Sequence, residues 1–312
     1  MESKLKIVFF GTPDFAVPPL AALLQDERVH VAAVVTSPDK KVGRKQILTP
    51  SAVKAFALDR GVKVLEYNSV RKEGVNDLKS LSADLFVTCA FGQILSEEIL
   101  ALPRFYTLNI HGSLLPKYRG AAPVQAAILA GETQTGVTIM KTVYEMDAGD
   151  MLLKKNVDIG EEETAGELFD RLSLLGAECI TDAVGLVCAD QAVFTPQNPA
   201  EATYVKKIEK NDGLLDFTLA AEEIKNRVRA YEPWPCAYTF VNGEQLKIHK
   251  AIVSDGKGRA GEVLQAGKIA EIACGKGSVL LQEVTPQGSR RMSAADYLRG
   301  NKLRVGEILG SC

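Results

Sequence analysis

The chain has 312 residues, 46% of them hydrophobic, a length that exceeds what one hydrophobic core usually fills, so a large domain plus a smaller one is expected. Its formal net charge of −2 removes any global electrostatic reason for binding an anionic polymer and leaves local basic patches as the only route to one. No apolar run approaches the ~20 residues of a membrane helix, and the apolar start is too short for a secretory leader, so a cytoplasmic location is expected.

In chain order, "LKIVFFG" reads as a buried strand ending in a glycine turn, and "FAVPPLAALLQDE" as a helix with prolines near its start. "HVAAVVTSPD" is a second strand. After it, Lys40, Lys41, Arg44 and Lys45 face the single acid Asp39 in a connection long for a βα unit. That charge run fits either a solvated loop or a surface for phosphates. "SAVKAFALDRG" has a serine cap and a glycine stop for a helix, and "VKVLEY" is a third strand. "ADLFVTCAFG" and "FYTLNIHG" repeat the strand pattern, which puts the residues after them at strand ends, where open α/β sheets present ligand sites.

"PVQAAILAG" reads as a helix, "TGVTIMKTV" and "GDMLLKKNVDI" as strands, and Thr164 with Glu167 as the capping box of a long amphipathic helix. "QAVFTPQNPAEATYVKK" has little periodicity. We expect a domain over residues 1–190, a linker over 191–205 and a second domain over 206–312. In that second part, short strands with glycine turns suggest a small β-barrel or meander. Strands alternating with helices in the first part predict an α/β fold with a mostly parallel sheet.

Gly11 stands alone, without the Gly-x-Gly-x-x-Gly of a dinucleotide site, so the sheet is Rossmann-like without implying NAD. Asn109 and His111 are two apart on a strand and share a face. An amide N–H can stabilise an oxyanion and an imidazole can carry a proton near neutral pH, which suits acyl transfer; a core histidine bonded to a carbonyl fits the same spacing. Asp147, in an Asp-Ala-Gly turn, is either turn chemistry or a partner for His111. His30 and His249 lie in strand-like runs and read as structural. The six cysteines form no Cys-x-x-Cys pair, so they read as reduced thiols, and no metal site is expected.

The stretches "NIHGSLLPKYRGAAPVQAAI" and "GVTIMKTVYEMDAGD" resemble the signatures of the formyltransferases that use 10-formyltetrahydrofolate. Similarity extends over essentially the whole chain, through "FFGTPDFAVPPLAAL", "CAFGQILSEEIL", "ATYVKKIEKNDGLLDF", "NRVRAYEPWPCAYT" and "SAADYLRG". The resemblance implies a Rossmann-like catalytic domain and a smaller OB-like β-barrel. It implies catalysis by Asn109, His111 and Asp147, with Asn109 and a protonated His111 on the oxyanion and Asp147 relaying the proton. It assigns 10-formyltetrahydrofolate to Ser113, Leu114, Leu115 and Pro116, with Phe91, Gly92, Gln93 and Ile94. The second domain and the basic segment are similar to the branch that formylates initiator methionyl-tRNA, which would put Lys40, Lys41, Arg44 and Lys45 on the acceptor arm of a monomeric enzyme. Amino-sugar nucleotides, glycinamide ribonucleotide or water are the alternative acceptors. Lys117 and Arg119 stay open between phosphate contact and solvation.

Overall fold

The computed structural model describes residues 4–43, 45–300 and 303–310. The chain forms two compact units, one of residues 1–120, 135–157 and 169–204, the other of 121–134, 158–168 and 205–312. The strands of the N-terminal part are β1 (Leu5–Gly11), β2 (Val29–Thr36), β3 (Lys40–Val42), β4 (Ile47–Thr49), β5 (Val64–Glu66), β6 (Leu85–Cys89), β7 (Tyr106–His111), β8 (Arg119–Gly120), β9 (Gln134–Lys141) and β10 (Met151–Asp158). Among them run α1 (Val17–Gln25), α2 (Ala52–Asp59), α3 (Val70–Glu73), α4 (Val75–Ser80), α5 (Glu97–Leu100) and α6 (Pro123–Leu129), and α7 (Ala165–Cys188) follows.

Seven strands make one sheet in the order β10-β9-β7-β6-β1-β2-β5, with β1, β2, β5, β6 and β7 mutually parallel and β9 antiparallel to β7. β1 is buried on both faces. Ile7 and Phe9 face one side and Val8 and Phe10 the other, and all four are fully shielded. Phe10 packs with Phe86 and Phe91 on one face, while Phe15 meets Phe169 and Ser173 donates a hydrogen bond to the Phe15 carbonyl. Thr164 N–H donates to Glu167 and Glu167 N–H to Thr164 Oγ1, the capping box expected before α7.

The basic connection after β2 is an ordered hairpin. β3 and β4 pair antiparallel, from Lys40 opposite Thr49 to Val42 opposite Ile47, and every side chain on the two strands is exposed. Arg44 lies outside the described residues. At its tip Gly43 holds φ +72, which glycine adopts without cost.

The C-terminal unit contains α8 (Ala221–Ala230), β12 (Ala237–Val241), β13 (Glu244–Ser254), β14 (Val263–Ala266), β15 (Ala270–Ala273), β16 (Ser278–Pro286), β17 (Met292–Ser293) and α9 (Ala294–Leu298), preceded by the two-residue β11 (Tyr204–Val205). Its sheet is antiparallel, β12-β13-β16-β15-β14 with β17 on β16, a half-barrel whose edges are β12 and β14. Ile224, Val228, Ile248, Ile272, Val279 and Val284 fill its core. No helix among the described residues is long and apolar enough to cross a membrane.

Ser51 ties sequence to packing at the start of α2: its Oγ accepts from Lys54 N–H at 3.1 Å and shares a 2.8 Å hydrogen bond with the fully buried Thr36 hydroxyl. Ser51→Ala removes the cap and strands that hydroxyl. It should cost ~1–3 kcal/mol, read as a lower urea midpoint.

Candidate active site

Parallel register gathers the chemistry at one edge. Gly11 pairs with Cys89 and Thr88 with Asn109, so β1, β6 and β7 end side by side and Thr12, residues 90–94 and residues 109–116 form one rim. Thr12 Oγ1 donates to the Phe91 carbonyl at 3.1 Å, joining the first two ends. β2 opens into the β3–β4 hairpin on that same edge. Three strand spacings separate β7 from β2, or ~14 Å along the rim.

Asn109 and His111 share a face of β7. Thr88 Oγ1 donates to Asn109 Oδ1 at 2.8 Å, which fixes the amide and directs its N–H groups the other way. Among the described residues no protein group accepts from that nitrogen. His111 is 5% exposed, and its Nε2 is 3.0 Å from the Tyr118 carbonyl. A carbonyl only accepts, so Nε2 carries the hydrogen and Nδ1 is the nitrogen that can exchange a proton. Nδ1 faces Asp147 Oδ2 across 3.7 Å, too far for a direct hydrogen bond. Both readings of this histidine therefore hold at once: it is bonded to a carbonyl, and it faces a carboxylate.

Two residues in left-handed backbone hold that geometry. Tyr118 has φ +62 and its N–H donates to Thr203 Oγ1 at 2.8 Å, so its carbonyl stays on His111. Asp147 has φ +49, and its Oδ2 accepts from Gly120 N–H at 2.7 Å. Gln197, 8% exposed, secures the turn from behind: its Nε2 donates to the carbonyls of Asp147 and Gly149, each at 2.8 Å. Arg119 in turn donates to Gln197 Oε1 from Nε at 3.0 Å and Nη2 at 2.8 Å. At 3% exposure, with Tyr204 Oη 3.1 Å from Nη1, Arg119 is an internal clamp and not the phosphate contact or solvated cation left open by the sequence. Gly149 is required for close approach, since a Cβ there would overlap the Lys141 carbonyl.

The segment Ser113–Pro116 is itself well anchored. Ser113 carbonyl accepts from Thr138 Oγ1 at 2.7 Å, Leu115 N–H donates to the same oxygen at 3.2 Å, and Lys154 Nζ donates to the Leu115 carbonyl at 3.1 Å. Leu115 is 1% exposed and belongs to the core, which leaves Leu114 as the part-exposed apolar side chain of the four. Phe91 is also core. Gln93 is a structural tie, accepting from Val70 N–H and donating to the Tyr67 carbonyl, each at 2.8 Å. Gly92, at φ +76 with open space beside it, and Ile94, 62% exposed, are the members of that group that face outward.

On the hairpin, Lys40, Lys41 and Lys45 have no carboxylate partner among the described residues. The nearest acids are taken: Lys54 Nζ binds Asp39 at 2.6 Å and Glu66 at 2.9 Å, and the hydrogen bond with Asp39, then that with Glu66, holds the Lys54 ammonium above its ordinary range. Sequence reasoning missed Gln197 because it lies in the aperiodic stretch read as a linker, where no spacing marks a buried polar residue.

This arrangement, a doubly wound sheet with an amide, an imidazole and a carboxylate at one strand-end rim, is that of a group-transfer enzyme. The pattern described as formyl transferase matches residues 5–184, and that of the formyl transferase C-terminal domain matches residues 207–302. The chain belongs to the formyl transferase family. It is 43% identical over 98% of its length, and 97% of the relative's, to methionyl-tRNA formyltransferase of Geobacter sulfurreducens. It is 42% identical to that of Bacillus subtilis, with 98% of each chain covered. Among solved structures, the N-formyltransferase from Helicobacter canadensis, in complex with folinic acid and dTDP-3-aminofucose, superposes with a TM-score of 0.69. That match has 21% identity and covers 89% of this chain and 99% of that one.

Gln197→Leu leaves the buried Arg119 guanidinium without the oxygen that accepts two of its N–H groups, and the Asp147 turn without the amide that donates to two of its carbonyls. We expect ~2–4 kcal/mol of destabilisation in urea. Gln197→Glu keeps the acceptor for Arg119 but sets a carboxylate oxygen against the two carbonyls of the turn, so it should destabilise as well.

Proposed function

We propose that this protein transfers the formyl group of 10-formyltetrahydrofolate to the α-amino group of initiator methionyl-tRNA, in the cytoplasm, as a monomer. The observation that carries the chemistry is the unengaged Asn109 amide beside an Nδ1-facing His111–Asp147 pair. Full-length similarity to methionyl-tRNA formyltransferases supports the acceptor.

Attack by the amine puts negative charge on the formyl oxygen. Asn109 Nδ2–H is the preorganised donor for that charge, its direction set by Thr88 before any substrate arrives. Because His111 Nε2–H is committed to the Tyr118 carbonyl, the ring takes part through Nδ1. The proton leaving the amine is received in the gap between Nδ1 and Asp147 Oδ2, where the carboxylate compensates the positive charge that the imidazole gains; the tetrahedral intermediate then collapses by breaking the bond from the formyl carbon to N10, and that proton passes to N10 as tetrahydrofolate leaves. The Gly120 N–H holds Asp147 Oδ2 in place throughout.

The residues on the rim fit a folate. Gly92 leaves room for an aromatic ring to approach the backbone, and the exposed Ile94 and part-exposed Leu114 offer apolar surface. Folate supplies the activated formyl group; the protein supplies orientation and charge stabilisation. Lys40 and Lys41 on β3 and Lys45 beyond the turn, together with Arg44 of the same sequence run, would provide the local basic surface for acceptor-arm phosphates. Residues 1–190 would then carry the reaction and 206–312 would lie along the tRNA, the two joined through 191–205.

The deciding measurement compares formyl transfer to methionyl initiator tRNA, methionyl elongator tRNA and an amino-sugar nucleotide. Transfer to the sugar, or formate release without tRNA at a comparable rate, would overturn this reading. Asn109→Ala should lower kcat by ~10²–10³ with KM for folate little changed. Asp147→Asn should cost ~10²–10⁴ in kcat. Replacing Lys40, Lys41, Arg44 and Lys45 by alanine should raise KM for tRNA and flatten its salt dependence by about one logarithmic slope unit for each phosphate no longer neutralised, leaving kcat near wild type.

A further inference from the structure

Three different metal-binding side chains meet in the C-terminal unit, none of them part of the candidate active site. Glu232 and Cys236 lie in the turn between α8 and β12, and His249 lies on β13. His249 Nδ1 is 2.8 Å from Glu232 Oε2, and Cys236 Sγ is 3.7 Å from that same oxygen. One ligand atom from each residue lies within 4.8 Å of the other two. Cys236 is 7% exposed, and the side chains of Glu232 and His249 are 12% and 9% exposed.

Local backbone places two of the three donors, and the Cys236 thiol also donates to the Pro233 carbonyl at 2.9 Å. His249 sits where the register of β13 against β16 slips between Ile248 and Lys250, a bulge of the kind that re-aims a side chain. Cys236 holds φ +66, a conformation that residues with a Cβ rarely adopt. The outer groups of a metal centre are also in place. Thr285 Oγ1 lies 2.9 Å from His249 Nε2, and Arg291 donates to Glu232 Oε1 at 2.8 Å while its other end binds Glu283. A carboxylate only accepts, so Nδ1–H donates to Glu232 Oε2 in the metal-free site; a metal between them replaces that hydrogen bond, and the imidazole hydrogen moves to Nε2, where Thr285 Oγ1 can accept it.

We propose that Glu232 Oε2, Cys236 Sγ and His249 Nδ1 bind a divalent ion of the zinc class, which ties the turn after α8 to the bulge of β13. Bonds of ~2.0–2.1 Å to nitrogen and oxygen and ~2.3 Å to sulfur put tetrahedral neighbours ~3.3–3.6 Å apart. The three atoms reach that spacing by shifts of under ~1 Å. Mixed sulfur, nitrogen and oxygen donors favour zinc over magnesium or calcium, and binding releases the thiol proton to solvent. The sequence expectation of no metal site rests on the absence of a His or Cys cluster; here the fold assembles one across 17 residues, from Glu232 to His249.

The test uses the full-length, untagged protein after chelator treatment, titrated with Co²⁺ and then competed with Zn²⁺. A thiolate-to-cobalt absorption band in the near ultraviolet, saturating at about one equivalent and bleached by zinc, is expected. Cys236→Gly removes the sulfur while its backbone takes the same φ more easily, so it should melt cooperatively and lose the band. His249→Gln should lose it as well, and Thr285→Val should weaken zinc ~10- to 100-fold. A folded wild type with no band, or a band that survives in Cys236→Gly, would overturn the proposal.

Discussion

The arrangement of the rim depends on one strained turn. Asp147 is held at φ +49, where a side-chain-bearing residue loses ~1 kcal/mol or more relative to ordinary backbone, and it stays there because several hydrogen bonds over-determine it. Gln197 grips two carbonyls of the turn, Gly120 grips the carboxylate, and Gly149 alone allows the chain to pass against Lys141. Arg119 completes the structure by fixing Gln197, so a cation that looks functional in the sequence serves the turn and not a ligand. Without those linked hydrogen bonds the carboxylate has no reason to face His111. The strain is therefore part of how a loop residue acquires the positional accuracy of a strand residue.

Asn109 and His111 obtain the same accuracy more simply, because they lie on β7 itself. Neighbouring parallel strands set their height on the sheet, and Thr88 on β6 sets the rotation of the amide. Placing the fixed pair on a strand and the third group on a turn separates two demands of the proposed reaction: the amide must not move, whereas the carboxylate must only stay within reach of Nδ1.

Much of the fold is legible from periodicity. Strands at "LKIVFFG", "HVAAVVTSPD" and "FYTLNIHG", the Ser51 cap and the Thr164–Glu167 box all appear where hydrophobic pattern and capping chemistry put them, since these are local effects written in neighbouring residues. The basic connection reads as a loop and is a hairpin: with every side chain on both strands exposed, β3 and β4 give no alternation of buried and exposed residues to detect. Gln197, and the meeting of Glu232, Cys236 and His249, are illegible for a different reason. A buried polar group is satisfied by partners far along the chain, and no spacing rule encodes hydrogen bonds over 48 or 50 residues, as between Gln197 and the Asp147 turn.

A chain of net charge −2 can still present a local cationic surface if nearby acids are held elsewhere, and the hairpin shows how. Asp39 is the acid nearest in sequence to Lys40 and Lys41, and it would cancel much of their field if it turned toward them. It is instead drawn back to Lys54, which also binds Glu66, so one ammonium holds both carboxylates at the base of the hairpin and offsets half of their charge. Part-buried pairs near the surface, like these, add only modestly to stability. Their consequence is electrostatic: the hairpin cations extend into solvent uncompensated, at a distance from the rim set by three strand spacings, and the range of their attraction is the Debye length, ~8 Å at physiological salt. A polyanion feels the hairpin only on close approach.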